Sequence, residues 1–156
     1  MGYAQRQLGR YAEAINAYKE AIRLKPELAA AHLGLGDVYY YNTKQYAEAI
    51  QAYRQGVRLE PDNSTAFFNL SWCYNELSQF DNALQAANEA IRLKADYPEA
   101  YVEVGYANRK LGKNLPEKSA AAKQKFEAAI TAYRAALRLR NNYGLAYTGL
   151  AGTAAL

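Results

Sequence analysis

Four strings in this chain are variants of one another: AEAINAYKEAIRLKP, AEAIQAYRQGVRLEP, DNALQAANEAIRLKA and EAAITAYRAALRLRN. They begin at Ala12, Ala47, Asp81 and Glu127, so that successive steps are 35, 34 and 46 residues. A unit recurring at such a period cannot bury its apolar face alone and must stack on its neighbours, which confines the chain to a repeat architecture. Within each string small or apolar residues fall at helical spacing, as Ala14, Ile15, Tyr18, Ala21, Ile22 and Leu24 do, and mark a helix with one buried face.

Upstream of each string lies a second helical stretch: Ala30 to Tyr41, Thr65 to Leu77, Glu99 to Leu111 and a terminal piece from Leu145 onward. Gly9, Asn42 with Thr43, Ser78 and Gly112 separate the two, residue types that tolerate the turn ending a helix. Each unit therefore reads as a helical hairpin. Alanine, leucine, tyrosine, lysine, arginine, glutamate and glutamine dominate while valine and threonine are scarce, which favours helix over sheet. The expectation is one all-α domain over residues 1–156, with a partial first unit at 1–28, further units at 29–63, 64–97 and 98–143, and a partial helix at 144–156.

The longest step implies about twelve extra residues in the fourth unit, within KNLPEKSAAAKQK. Asn114 followed by Glu117 is spaced as a capping box, and Pro116 would lie in a first turn, where its missing N–H is not needed. The insertion thus predicts a second helix running from about Pro116 to Arg140 and projecting roughly three turns past its partner.

The formal net charge of +4 is dispersed, without a run of five or six like charges, so no nucleic-acid partner is expected. No segment approaches the roughly 20 apolar residues of a membrane span, and no membrane partner is expected. Cys73 has no second cysteine to pair with, and nothing at the N-terminus reads as a secretion signal, so a reduced, cytoplasmic setting is the default expectation. His32, the single histidine, lacks the companions of a metal site or a catalytic dyad. Cys73 sits mid-helix with no evident base or cation beside it, and Gly34 and Gly36 fall inside a helix and not in a phosphate-binding loop. No catalytic constellation, metal or cofactor is expected, and the chain reads as a non-enzyme.

The units resemble the tetratricopeptide repeat, whose pattern is an aromatic, Leu-Gly, Tyr, Ala, aromatic and Pro at fixed offsets. The second unit supplies His32, Leu35, Gly36, Tyr39, Ala49, Tyr53 and Pro61, with one extra residue in its turn. The third supplies Phe67, Leu70, Ser71, Tyr74, Ala83, Ala87 and Ala95, and the fourth Tyr101, Val104, Gly105, Asn108, Ala129, Tyr133 and Asn141. The first begins within its own first helix, at Gly2, and continues to Ala14, Tyr18 and Pro26. The resemblance covers nearly the whole chain. Small residues such as Gly36, Gly105 and Ala49 fall where helices must approach closely, while Tyr18, Tyr53, Tyr11 and Tyr46 are expected to fill the space between hairpins.

What the resemblance implies is a right-handed superhelical array of antiparallel hairpins whose first helices line a concave groove, and a scaffold that holds a peptide or partner protein there. Carried over residue by residue, the groove positions are Tyr3 and Arg6 in the first unit, and Leu33, Asp37, Tyr40 and Tyr41 in the second. The third unit gives Phe68, Asn69, Trp72 and Asn75, and the fourth Tyr106, Arg109 and Lys110. Exposed aromatic rings at Tyr3, Tyr40, Tyr41, Phe68, Trp72 and Tyr106 suit recognition, since they bury much area with little entropy to lose; the alternative is that some of them pack between hairpins. One subset of the family grips a terminal carboxylate with lysine, arginine and asparagine. The matching places here hold Leu33 with Asp37, Phe68 with Trp72, and Glu99 with Glu103, so that clamp is not expected. A competing reading is self-association through the incomplete terminal units, around Tyr3, Leu8 and Tyr11 at one end and Leu145, Tyr147, Leu150 and Leu156 at the other, because a repeat array normally closes with a polar cap.

Overall fold

The computed structural model describes residues 1–154, so Leu156 lies outside the described part of the chain. Every regular element in it is helical. The order is α1 (Gly2–Gln7), α2 (Tyr11–Leu24), α3 (Ala29–Asp37), a π-helical turn (Val38–Thr43), α4 (Tyr46–Leu59), α5 (Ser64–Glu76), α6 (Phe80–Leu93), α7 (Pro98–Lys113), α8 (Ala120–Leu139) and α9 (Gly144–Ala154). Consecutive helices pack as antiparallel hairpins, and the main contacts of each hairpin are with its neighbours along the array.

The alanines of the repeated strings explain the close packing. Ala14, Ala49, Ala83 and Ala129 are fully buried, one per hairpin, where a longer side chain would force the two helices apart. The first helices α5 and α7 are each covered from two sides, α5 by α4 and α6 and α7 by α6 and α8, which is why Ala66, Leu70 and Cys73 of the one and Ala100, Val102 and Ala107 of the other are all buried. Large rings fill the remaining space: Tyr53 and Tyr133 are 1% exposed. Tyr11 differs from the expectation, being 36% exposed, because α1 is too short to cover it.

The hairpin turns follow the expected places with shifted details. Gly9 and Ser78 take positive φ as the sequence suggests, but in the second unit the left-handed residue is Lys44 and not Asn42 or Thr43. That unit's extra residue is absorbed by the π turn, whose wider backbone ring accommodates one insertion without breaking the helix. Gly112 ends no helix: it is buried inside α7, where an added Cβ would lie 2.6 Å from the Phe126 ring.

The fourth unit corrects the expectation for the insertion. Asn114 terminates α7, and α8 begins at Ala120 with Ser119 as its cap, the Ser119 hydroxyl accepting from the Ala122 N–H at 3.1 Å. The extra length is shared. α7 has 16 residues against 13 in α5, α8 has 20 against 14 in α6, and the loop between them grows as well. An unpaired extension of α8 would expose Phe126, whereas lengthening α7 supplies the surface on which that ring packs. At the far end α9 folds back on α7 and α8, burying Ala146, Gly149 and Thr153 and partly covering Leu150.

Candidate functional site

The sequence-predicted residues fall in two sectors: Tyr3, Arg6, Leu33, Asp37 and Asn69 line one pocket, and Phe68, Trp72, Asn75, Tyr106, Arg109 and Lys110 lie on α5 and α7. In the first, a concave pocket of about 730 Å³ opens between the first three units, lined in part by Arg6, Tyr18, Leu33, Asp37, Tyr53 and Asn69. Its floor depends on a close approach: the Tyr18 ring lies against Gly34, where a Cβ would come within 2.5 Å of it.

A chain of hydrogen bonds joins three units across this pocket. The Arg6 Nε–H donates to Asn42 Oδ1 at 3.0 Å, and its Nη1 lies 3.6 Å from Asp37 Oδ2. The Tyr53 hydroxyl donates to Asp37 Oδ1 at 2.8 Å and accepts from the Asn69 carboxamide at 3.2 Å. Asn69 in turn accepts from the Tyr41 hydroxyl at 3.3 Å, and the Arg6 guanidinium stands over the Tyr41 ring, 5.5 Å from its centre. Burial raises the Asp37 carboxyl above the usual carboxylate range although the Tyr53 hydrogen bond and Arg6 both favour its charge. Burial, with the Asp37 charge, likewise drives the Tyr53 hydroxyl far upward, so it acts as a donor at any ordinary pH.

The second sector spans α5 and α7. Phe68 packs against Tyr97 with the rings tilted and 5.2 Å apart, and Trp72 meets Tyr40 edge-on at 5.9 Å. Tyr106 packs against Phe80 and carries Arg109 and Lys110 over its ring at 5.8 and 5.3 Å. The Asn75 carboxamide donates to Glu103 Oε2 at 2.7 Å. The Glu103 carboxyl is pushed up to about 7, first by burial and then by Glu76, against the Asn75 hydrogen bond.

Several predicted residues sit differently from the exposed row expected of them. Tyr3 and Tyr41 are exposed, while Arg6, Leu33, Asp37, Phe68, Trp72, Tyr106, Arg109 and Lys110 are half-buried. Tyr40 is 6% exposed and belongs to the core between α4 and α5, a correction caused by the π turn, which rotates Tyr40 inward and leaves Tyr41 on the surface. Asn69 and Asn75 are buried too, and act beneath the surface through the bonds they make. Sequence reasoning passed over Tyr53 and Glu103. The repeat steps point to both: Gly34, Asn69, Glu103 and Gly149 occupy one place in successive units, as do Tyr18, Tyr53, Ala87 and Tyr133.

The two residues weighed for reactivity have structural surroundings. The His32 Nε2–H donates to the Pro26 carbonyl at 2.8 Å, tying α3 to the preceding turn. Cys73 is fully buried, and burial pushes its thiol up to about 12, out of the range of a reactive thiolate. Among the described residues no group of three or more histidine, cysteine, aspartate or glutamate side chains could hold a metal ion, and no helix is long and apolar enough to cross a membrane.

Comparison with known proteins gives two matching family descriptions, "TPR repeat" over residues 2–42 and "Tetratricopeptide repeat" over residues 38–98. No curated protein sequence matches the chain. Among solved structures, the crystal structure of the MamA protein superposes with a TM-score of 0.87 at 23% identity, over 98% of this chain and 76% of that one. The first TPR of Spaghetti (RPAP3), bound to the HSP90 peptide SRMEEVD, gives 0.68 at 28% identity, over 81% of this chain and 90% of its own. YrrB, described as a TPR protein with an unusual peptide-binding site, gives 0.80 at 20% identity, over 99% and 73%.

Proposed function

The chain belongs to the tetratricopeptide repeat family, and we propose that it is a non-catalytic scaffold which binds an extended segment of a partner protein along the side formed by α1, α3, α5 and α7. The observation that carries this reading is the pocket between the first three units, with a small-residue floor, partly exposed aromatic rim and internally satisfied polar wall. Such walls fix the orientation of a bound backbone, while Tyr41, Phe68 and Trp72 offer area for burial. That RPAP3 holds an HSP90 peptide, and that YrrB is described by its peptide-binding site, supports the same kind of occupant.

A library of displayed ten-residue peptides panned on the protein tests the reading. It should converge on a consensus whose binding is weakened by roughly 1 kcal/mol or more in Trp72→Ala, with helicity unchanged by circular dichroism. Selection that converges on nothing, or binding indifferent to both Trp72 and Tyr41, would sink it.

A further inference from the structure

Glu103 is the one charged side chain buried to 9% exposure among the described residues. Its equivalents in the neighbouring units are Gly34, Asn69 and Gly149, each facing a tyrosine of the preceding hairpin. The Tyr18 ring lies against Gly34, the Tyr133 ring lies against Gly149, and the Tyr53 hydroxyl is bonded by Asn69. At the third step that tyrosine is replaced by Ala87, and a carboxyl group appears where the ring's counterpart would be small or neutral. Packing alone does not call for it, since a methionine or leucine would occupy similar volume without desolvating an ionisable group.

Two other carboxylates on these first helices have cations, and Glu76, at the exposed end of α5, has none among the described residues. Asp37 has Arg6 at 3.6 Å and Glu99 has Arg140 at 2.6 Å, whereas Glu103 forms no ion pair among the described residues. Asn75 of α5 is bonded to it, and Glu76 of α5, Tyr40 of the π turn, Tyr133 of α8 and Tyr143 ahead of α9 lie within electrostatic range. Independently, Asn75 is 5% exposed and its Oδ1 has no hydrogen-bond partner. A desolvated carboxyl without a cation beside an unsatisfied acceptor is an arrangement completed by a ligand rich in N–H donors.

We propose that Glu103 is a specificity-determining residue of the groove, which receives a lysine or arginine side chain of the bound segment through its carboxylate, with Asn75 Oδ1 accepting a further N–H. The proposal rests on the groove reading above. Because burial holds the Glu103 carboxyl near 7, an incoming cation displaces its proton, and affinity for a basic segment falls as the pH drops below neutrality.

The chain's single tryptophan, Trp72, supplies the readout by its fluorescence. Three blocked nonapeptides of alanine, leucine and serine, differing only in lysine, norleucine or glutamate at the centre, are titrated at pH 8 and pH 5.5. The lysine peptide should bind on the order of tenfold tighter than the norleucine peptide at pH 8, and this preference should vanish at pH 5.5 and in Glu103→Gln. Equal binding of all three peptides leaves the groove reading standing and overturns the role of Glu103. Preference for glutamate overturns it as well, and binding of none removes both. Should Glu103→Gln fail to fold, the comparison of the two pH values in the unaltered chain decides alone.

Discussion

Tyr53 shows how one side chain can serve both packing and recognition. Its ring packs inside the second hairpin, where an added Cβ at Gly36 would stand 2.7 Å from it, while its hydroxyl reaches the third and links Asp37 to Asn69. Glu103, one repeat further on, has no such linkage and stays nearly as buried, so its ionisation bears directly on stability. Its carboxyl lies at about 7 in the folded chain against an ordinary value of 4.5. A raised carboxyl binds its proton more tightly in the folded state, so this contribution is complete below pH 4.5, declines through the interval up to 7 and is then gone. Stability should therefore fall by about 2 kcal/mol between pH 5.5 and pH 8.5. Glu20 and Glu89, whose carboxyls are lowered by Arg23 and Arg92, titrate below this interval and leave it undisturbed. Denaturant melts at the two pH values check the sign: a protein more stable at pH 8.5, or a Glu103→Gln variant that keeps the same slope, contradicts the assignment. Both residues were legible in the repeat steps, which align Glu103 with Asn69 and Ala87 with Tyr53; what could not be read there was burial, since Asn75 and its bond come from another unit.

At the level of the helices, the existence and pairing of the elements follow from the alanine and tyrosine spacing, whereas their ends follow from competition among nearby signals. Around the fourth turn the spacing of Asn114 and Glu117 predicts a cap at Asn114, whereas the structure caps α8 with Ser119. Packing decides, because α7 must continue to Lys113 to cover Phe126, which makes Asn114 the end of one helix and leaves Ser119 to start the next. Ser119→Ala should accordingly cost about 1 kcal/mol, while Asn114→Ala should cost much less. Chemical denaturation of the two variants distinguishes the caps, and the reverse ranking would restore the longer helix. The π turn was hidden for a similar reason. One surplus residue is visible in the sequence, but only the contacts of Tyr40 with Tyr46, Tyr53 and Trp72 determine that the helix widens there and that Tyr40 faces inward.

Across the whole molecule the array has two outer faces, and they differ. α9 closes one by laying Ala146, Gly149 and Thr153 on the fourth hairpin, yet Leu145 remains 58% and Tyr147 54% exposed. α1 does the same less completely at the other, where Tyr3 is 64% and Leu8 68% exposed. The charge around them differs: α9 carries no acidic residue in its first turn and no basic one in its last, whereas α1 has no acidic residue in its first turn but Arg6 in its last. Exposed apolar side chains on an outer hairpin of a linear array are suited to contact with a surface of the same kind. We propose self-association of this chain by end-to-end contact, an arrangement that leaves the groove free and is compatible with partner binding. Light scattering over a concentration series should show the mean mass rising with concentration, and the rise should be suppressed by Leu145→Glu or Leu8→Glu, each placed at an exposed site where a charge has little effect on the fold. A mass that stays at 17.4 kDa throughout, with or without these charges, means that α1 and α9 are sufficient caps for the chain on their own.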